Sequence, residues 1–200
     1  MQPIGEIFGY IGGTLGVLMA LPQALHIRRR GNGYGVSLTM WLLTLLVNAS
    51  WLGYGIKLGS PSLVISNIVG FTTSAFVVSQ LVNKGWWIWP AMYIIAAAWA
   101  GIEMSLPLEF TTVLLIALTF YRFPQILRSV KNLKAGKETS VSLRALFIGL
   151  GAISSWEVYS VLSGHPQLVL TTSIALTMTS TIVLLELVTL KLSKKKQVTA

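Results

Sequence analysis

A pattern built on a Pro-Gln pair occurs twice in this chain, and that duplication constrains the fold more than any single motif. Leu21-Pro22-Gln23 opens one copy and Phe123-Pro124-Gln125 the other. From Val36-Ser37-Leu38 and Val141-Ser142-Leu143 onward the offset is fixed at 105 residues. It pairs Trp51 with Trp156, Tyr54 with Tyr159, Gly59 with Gly164 and Pro61 with Pro166. The copies cover residues 22–83 and 124–188. Matched positions in one register over that length mark an internal structural repeat.

The repeat unit is a piece of membrane protein. The 200 residues are 54% hydrophobic and 10% charged, where soluble domains carry about a quarter charged residues. So few charges cannot cover a water-facing surface. The chain has no cysteine, no aspartate and two histidines, His26 and His165, which fall at opposite membrane faces. Disulfides, thiolate metal sites and most acid–base chemistry are thereby excluded; no metal, no cofactor and no enzyme are expected. The net charge of +9 comes from short clusters between apolar runs, which is an orientation signal and not a nucleic-acid-binding face.

A bilayer core of ~30 Å takes ~20 apolar residues per helix. Seven stretches meet that need, at about 4–27, 37–56, 61–82, 86–104, 108–128, 142–162 and 166–190. Gly and Pro clusters punctuate them, among them Gly59-Ser60-Pro61 and Ser163-Gly164-His165-Pro166. With seven spans, 14 of the 15 basic residues fall on one side and only Lys57 opposite. The basic side is expected to be cytoplasmic in a cell membrane, with the N-terminus outside and retained as a helix, since no basic segment precedes it. Trp86, Trp87 and Trp89 mark an interface.

Each repeat holds three helices and the fourth span returns the chain to its starting side. The expected fold is all-α, seven transmembrane helices arranged 3+1+3 as two parallel triple-helix-bundle repeats. The domains are residues 1–83, a linker helix over 84–106, residues 107–193, and a tail over 194–200.

Pro22-Gln23, Val36-Ser37-Leu38, Trp41, Trp51-Leu52-Gly53-Tyr54-Gly55, Pro61 and Asn67-Ile68-Val69-Gly70, in that order, resemble the PQ-loop family and within it the SWEET and SemiSWEET sugar transporters. The resemblance implies a translocation path between two triple-helix bundles, lined by a tryptophan and an asparagine from each. Here those positions look like Trp51 and Asn67, then Trp156 and Thr172. The second asparagine is absent, Ser160 stands where the first half has Gly55, and Ala175 where it has Gly70. The pocket-sizing position of the relatives looks like Val47 and Ala152.

The residues themselves suit such a site. Trp51 and Tyr54 are three apart and share a helix face, as do Trp156 and Tyr159. An indole stacks on the C–H face of a sugar ring and its N–H donates a hydrogen bond. Asn67 offers both donor and acceptor to vicinal hydroxyls, and Thr172 part of that capacity. Asn48, one turn before Trp51, lines the path or bonds a neighbouring helix. Helix-interior prolines free a carbonyl, so Pro22 and Pro124 are expected hinges, with Gln23 and Gln125 bonding the freed backbone or each other. Glu157 stands inside span six where the first half has Leu52. An intramembrane carboxylate is a candidate proton carrier, or else a partner for Lys57. Glu186 is expected to pair with Lys191, and the Lys194–Lys196 cluster to meet anionic lipid.

The leading expectation is a facilitative carrier of mono- or disaccharides working by alternating access. The alternative is a proton-coupled carrier of amino acids or other small organic ions, to which Glu157 and the missing second asparagine point. A retinal-type receptor is excluded, because span seven has no lysine before Lys191. Partners are a small solute, preferably a sugar, and the lipid bilayer, with homo-oligomer formation left open.

Overall fold

The computed structural model describes residues 2–30, 38–82, 85–135 and 143–199, and every regular element among them is helical. In chain order these are α1 Gln2–Arg30, α2 Leu38–Leu58, α3 Pro61–Leu81, α4 Trp89–Ser105, α5 Leu108–Thr119, α6 Phe123–Ala135, α7 Leu143–Ser163 and α8 Pro166–Thr199. A 3-10 turn at Gly85–Ile88 leads into α4, and another at Phe120–Arg122 joins α5 to α6. Among the described residues, six spans are long and apolar enough to cross a membrane: Leu38–Leu58, Pro61–Leu81, Gly85–Ser105, Leu108–Ala135, Leu146–Ser163 and Pro166–Leu192. The expected first span, α1, runs over 29 residues. It carries glycines at positions 5, 9, 12, 13 and 16.

Those glycines have a packing use. A Cβ on Gly9 or Gly13 would run into Ser62 or Ser66 of α3, and one on Gly12 would lie 2.9 Å from the Trp156 ring of α7. The backbone of α1 therefore sits close against both α3 and α7, as small residues allow. α2 packs on α3, α4 and α5, while α8 packs on α7, α5 and α6. In each half the third helix touches both of its companions: α3 lies against α1 and α2, and α8 against α5–α6 and α7.

Polarity runs inside out. Ile94, Ile95, Phe110, Val113 and Leu184 are all more than 60% exposed, whereas Ser50, Ser62, Thr111, Ser129, Ser160 and Glu186 are completely buried. A water-soluble domain does the reverse. An apolar exterior around hydroxyl-rich helix contacts is the arrangement that lipid requires.

The repeat extends to turn geometry. Gly59 and Gly164 follow α2 and α7 with φ of 63° and 71°, a left-handed conformation that glycine adopts without strain. Gly59 N–H donates to the Ile56 carbonyl at 3.1 Å, and Gly164 N–H to the Val161 carbonyl at 3.3 Å. Pro61 and Pro166 then open α3 and α8 at a position where a missing N–H costs nothing.

Two expected features differ. The fifth span does not continue through residue 128 as one helix: it stops at Thr119, turns, and restarts at Phe123. Pro124 is the second residue of α6 and follows directly on the 3-10 turn, inside the helical span Leu108–Ala135. α1, by contrast, runs unbroken through position 22. The last helix also passes the expected end at residue 190 and carries Lys194–Lys196 in helical conformation to Thr199. Lysine is a good helix former, so leaving the apolar region does not end the helix.

Candidate functional site

Trp51 meets Tyr54 edge-on, with ring centroids 5.7 Å apart and an interplanar angle of 88°. Trp156 meets Tyr159 in the same way, at 5.4 Å and 85°. Helical spacing of three puts each pair on one face, and an edge-to-face contact suits the quadrupoles of both rings. The two pairs share one apolar cluster. Tyr54, Leu63, Leu115, Tyr159 and Leu168 form its buried part, with Phe8, Leu58 and Leu108 packed around it. Six helices (α1, α2, α3, α5, α7 and α8) contribute, so the cluster lies where both halves meet.

It lies toward the end of the molecule at which α1, α3, α5 and α8 begin. Glu6 defines that end, accepting from Ser60 Oγ at 2.9 Å and from the Ser62 backbone N–H at 2.7 Å. A carboxylate on the first N–H groups of α3 satisfies donors that no helical carbonyl reaches. Lys57 Nζ belongs to the same end, donating to the Leu106 carbonyl at 2.6 Å and to Thr111 Oγ1 at 2.8 Å.

The polar residues of the two halves differ. Asn67 is buried and donates from Nδ2 to the Leu63 carbonyl of its own helix at 2.8 Å. Its counterpart Thr172 is part of a cluster. Thr172 Oγ1 donates to Glu157 Oε2 and lies 2.9 Å from Ser160 Oγ, while Ser173 Oγ donates to Glu157 Oε1 at 2.6 Å. Glu157 therefore faces α8, not Lys57, and the expected pairing with Lys57 is not formed: one side chain is held by α8 hydroxyls and the other by the α4–α5 junction.

Asn48 donates to the Thr44 carbonyl at 2.8 Å, and its Oδ1 lies over Gly70 of α3, where a Cβ could not fit. It fills the α2–α3 contact. Ala152 is half-buried with its carbonyl toward Gly12, and Val47 is half-buried on α2.

At the opposite end, Gln125 donates to Ser129 Oγ at 3.3 Å on its own helix, and Ser129 donates to Glu186 Oε1 at 2.5 Å. Gln125 thus supports an α6–α8 link. Glu186 is bonded to Ser129, in place of the expected Lys191, because it is completely buried where a lysine head would lose its water. The side chains of Pro22, Gln23 and Lys194–Lys196 lie outside the described residues. Pro124 is exposed.

Three residues of this region, Ser160, Ser173 and Glu103, are not among the site residues chosen from the sequence. Ser160 and Ser173 were detectable in part, since Ser160 replaces Gly55 in the repeat. Glu103, on α4, is 1% exposed and neither carboxylate oxygen has a hydrogen-bond partner. It packs against Gly53 of α2, with Lys57 the nearby charge.

No curated protein matches the chain significantly. Residues 8–82, from the middle of the first turns of α1 to the end of α3, match the model of a family described as a sugar efflux transporter for intercellular exchange. The resemblance carried by Pro22-Gln23, Trp51, Tyr54 and Asn67 falls inside that segment. Residues 8–82 are thus similar to the SWEET-like sugar efflux transporters, a family of membrane carriers and not of enzymes.

Proposed function

We propose that the chain carries a mono- or disaccharide across a cell membrane by alternating access, as a facilitative uniporter. Two parallel triple-helix units, α1–α3 and α5–α8, rock about a site between them, and α4 is the linker that restores the orientation of the second. The observation that carries this reading is the pair of equal Trp–Tyr contacts meeting in one cluster drawn from both units. Matched turns at Gly59 and Gly164 and the same central position of α3 and α8 support it.

In this reading Trp51 and Trp156 wall the sugar ring, Asn67 and Thr172 bond its hydroxyls, and Val47, Ala152 and Asn48 shape the space one turn deeper. Tyr54, Tyr159, Leu63, Leu115 and Leu168 close the gate at the Glu6 end, which faces the outside, with the C-terminus in the cytoplasm. Opening at the other end uses the α1 backbone at Pro22-Gln23 and the Phe120–Arg122 turn before Pro124-Gln125.

Proteoliposomes loaded with buffer alone and given labelled glucose or sucrose provide the test. Uptake should follow the sugar gradient and be indifferent to an imposed pH gradient. Uptake of lysine or cystine in place of sugar, or uptake driven by the pH gradient, would refute it.

A further inference from the structure

The region around Thr172 differs from that around Asn67 in the hydrogen-bonding capacity left for a ligand. Asn67 commits one amide hydrogen to the Leu63 carbonyl and keeps a second hydrogen, so its amide presents a donor as well as a carbonyl acceptor. Thr172 has a single hydroxyl hydrogen. Its neighbours are Glu157 Oε2, the Leu168 carbonyl at 3.0 Å and the Val169 carbonyl at 3.2 Å, all of them acceptors, and Ser160 Oγ at 2.9 Å, which can accept as well. The hydrogen stays within the protein whichever of the four receives it. Ser173 gives its hydrogen to Glu157 Oε1, and Ser160 can give its own to the Glu157 carbonyl at 2.8 Å. One hydroxyl on each carboxylate oxygen is the arrangement that suits an ionised acid, which is an acceptor only. Lys57, the cation the sequence offered as a partner, is held at Leu106 and Thr111.

We propose that Glu157, Thr172 and Ser173 form an acceptor-only subsite that selects the donor edge of the transported sugar, and that its preferred ligands are amino sugars bearing a free ammonium group. The inference rests on the sugar-carrier reading. An ammonium group is donors only and carries the charge complementary to Glu157. It meets lone pairs on Thr172 Oγ1 and on both carboxylate oxygens. A neutral hydroxyl is accepted less strongly, and an acetamido group brings a methyl and a carbonyl to acceptors that cannot use them. Leu52, at the matching place in the first half, offers nothing of the kind. The repeat thus becomes a two-faced site, with an amide on one side and a carboxylate-backed hydroxyl on the other.

The test compares uptake of labelled glucosamine, glucose and N-acetylglucosamine into proteoliposomes containing the full chain. Wild type should favour glucosamine over glucose by roughly fivefold, the factor that separates charge-assisted from neutral hydrogen bonds, and should exclude N-acetylglucosamine. In Glu157→Leu that ratio should fall to about one, and in Thr172→Val it should fall part of the way. If Glu157→Leu does not fold, the isosteric Glu157→Gln carries the same expectation. Glucose uptake with no glucosamine preference, or a preference that survives Glu157→Leu or Glu157→Gln, overturns the acceptor-only subsite and leaves the sugar carrier standing. Failure of the wild type to move any of the three sugars or sucrose overturns the carrier reading itself, and this inference with it.

Discussion

The two halves hold the same aromatic pair in nearly the same geometry but support it with different chemistry. Around Trp51 and Tyr54 the helices approach through glycine. A Cβ on Gly55 would lie 2.8 Å from Leu63 Cβ, and Gly70 gives room to Asn48 Oδ1. Around Trp156 and Tyr159 those places hold Ser160 and Ala175, and contact between α7 and α8 is made by Glu157, Ser160, Thr172 and Ser173. One half is closed by backbone proximity and the other by hydrogen bonds. Duplication therefore preserved what both halves need at their common boundary, while the contacts inside each half were free to diverge. The tyrosines keep different company as well. The Tyr54 hydroxyl lies near Thr112, whereas that of Tyr159 lies near Ser60, Ser62 and Ser163.

The largest test of this comparison is removal of the shared element. Trp51→Ala and Trp156→Ala should each lower sugar uptake in proteoliposomes by at least about tenfold, since each takes away a large aromatic surface and an edge-on contact. Their stabilities should differ. Trp156 also packs on Gly12 of α1, so Trp156→Ala should cost ~3–5 kcal/mol, in the range of buried tryptophan truncation, and Trp51→Ala less. Equal thermal shifts for the two variants would mean that α1 does not depend on Trp156 for its seat.

Next in size is the contrast between glycine and serine closure. Gly55→Ala should destabilise by about 1–3 kcal/mol through overpacking, because the new methyl meets Leu63 and the Val64 backbone, neither a flexible end. Ser160→Ala removes a hydroxyl that contacts Thr172 and should cost about 1 kcal/mol. Denaturation in mild detergent would rank the two. A reversed order would show that α2 and α3 can separate at little cost.

A double-mutant cycle sharpens the point from the other side. Glu157→Leu with Thr172→Asn gives the second half the residues of the first. The two changes should be coupled by about 0.5–3 kcal/mol, as groups in one hydrogen-bond network are. Additive effects would dissolve the cluster as a unit.

How much of this was legible in the sequence depended on whether a feature is local. The spans were, because ~20 apolar residues are a local signal. So were the turns at Gly59 and Gly164, where left-handed backbone demands glycine and the following proline fits a helix start. The aromatic pairs were legible through helical spacing. Partner choice was not. Glu157 finds Thr172 and Ser173, Glu186 finds Ser129, and Lys57 finds Leu106 and Thr111, all across helix contacts whose rotation no spacing rule fixes. The break in the fifth span was hidden for a different reason. Proline is equally at home at a kink and at a helix start, and Phe120-Tyr121-Arg122 carries no glycine or proline to announce the turn. The Asn67 and Thr172 positions were found by register, but the cluster around Thr172 needed the approach of α7 to α8.

The smallest expected effect concerns a second buried carboxylate, and it separates the two chemistries of burial. Glu103 resembles Glu157 in being an acid within a helix contact, yet its oxygens receive no hydrogen bond, and Lys57 is the charge near it. A buried carboxyl group that lacks hydrogen bonds gives little net stability, since desolvation opposes any attraction of a nearby cation. Glu103→Gln keeps the shape against Gly53 and removes the acid, so its thermal stability should stay within about 1 kcal/mol of wild type or rise. Glu157→Gln, which leaves an amide N–H facing a hydroxyl already committed as a donor, should lose more, about 1–3 kcal/mol. Lys57→Met places the two on one scale. It takes the countercharge from Glu103 and empties the contacts at Leu106 and Thr111, and adding Glu103→Gln should recover part of that loss. Failure of the second change to recover anything would show that Lys57 acts only through the α4–α5 junction, with Glu103 electrostatically idle.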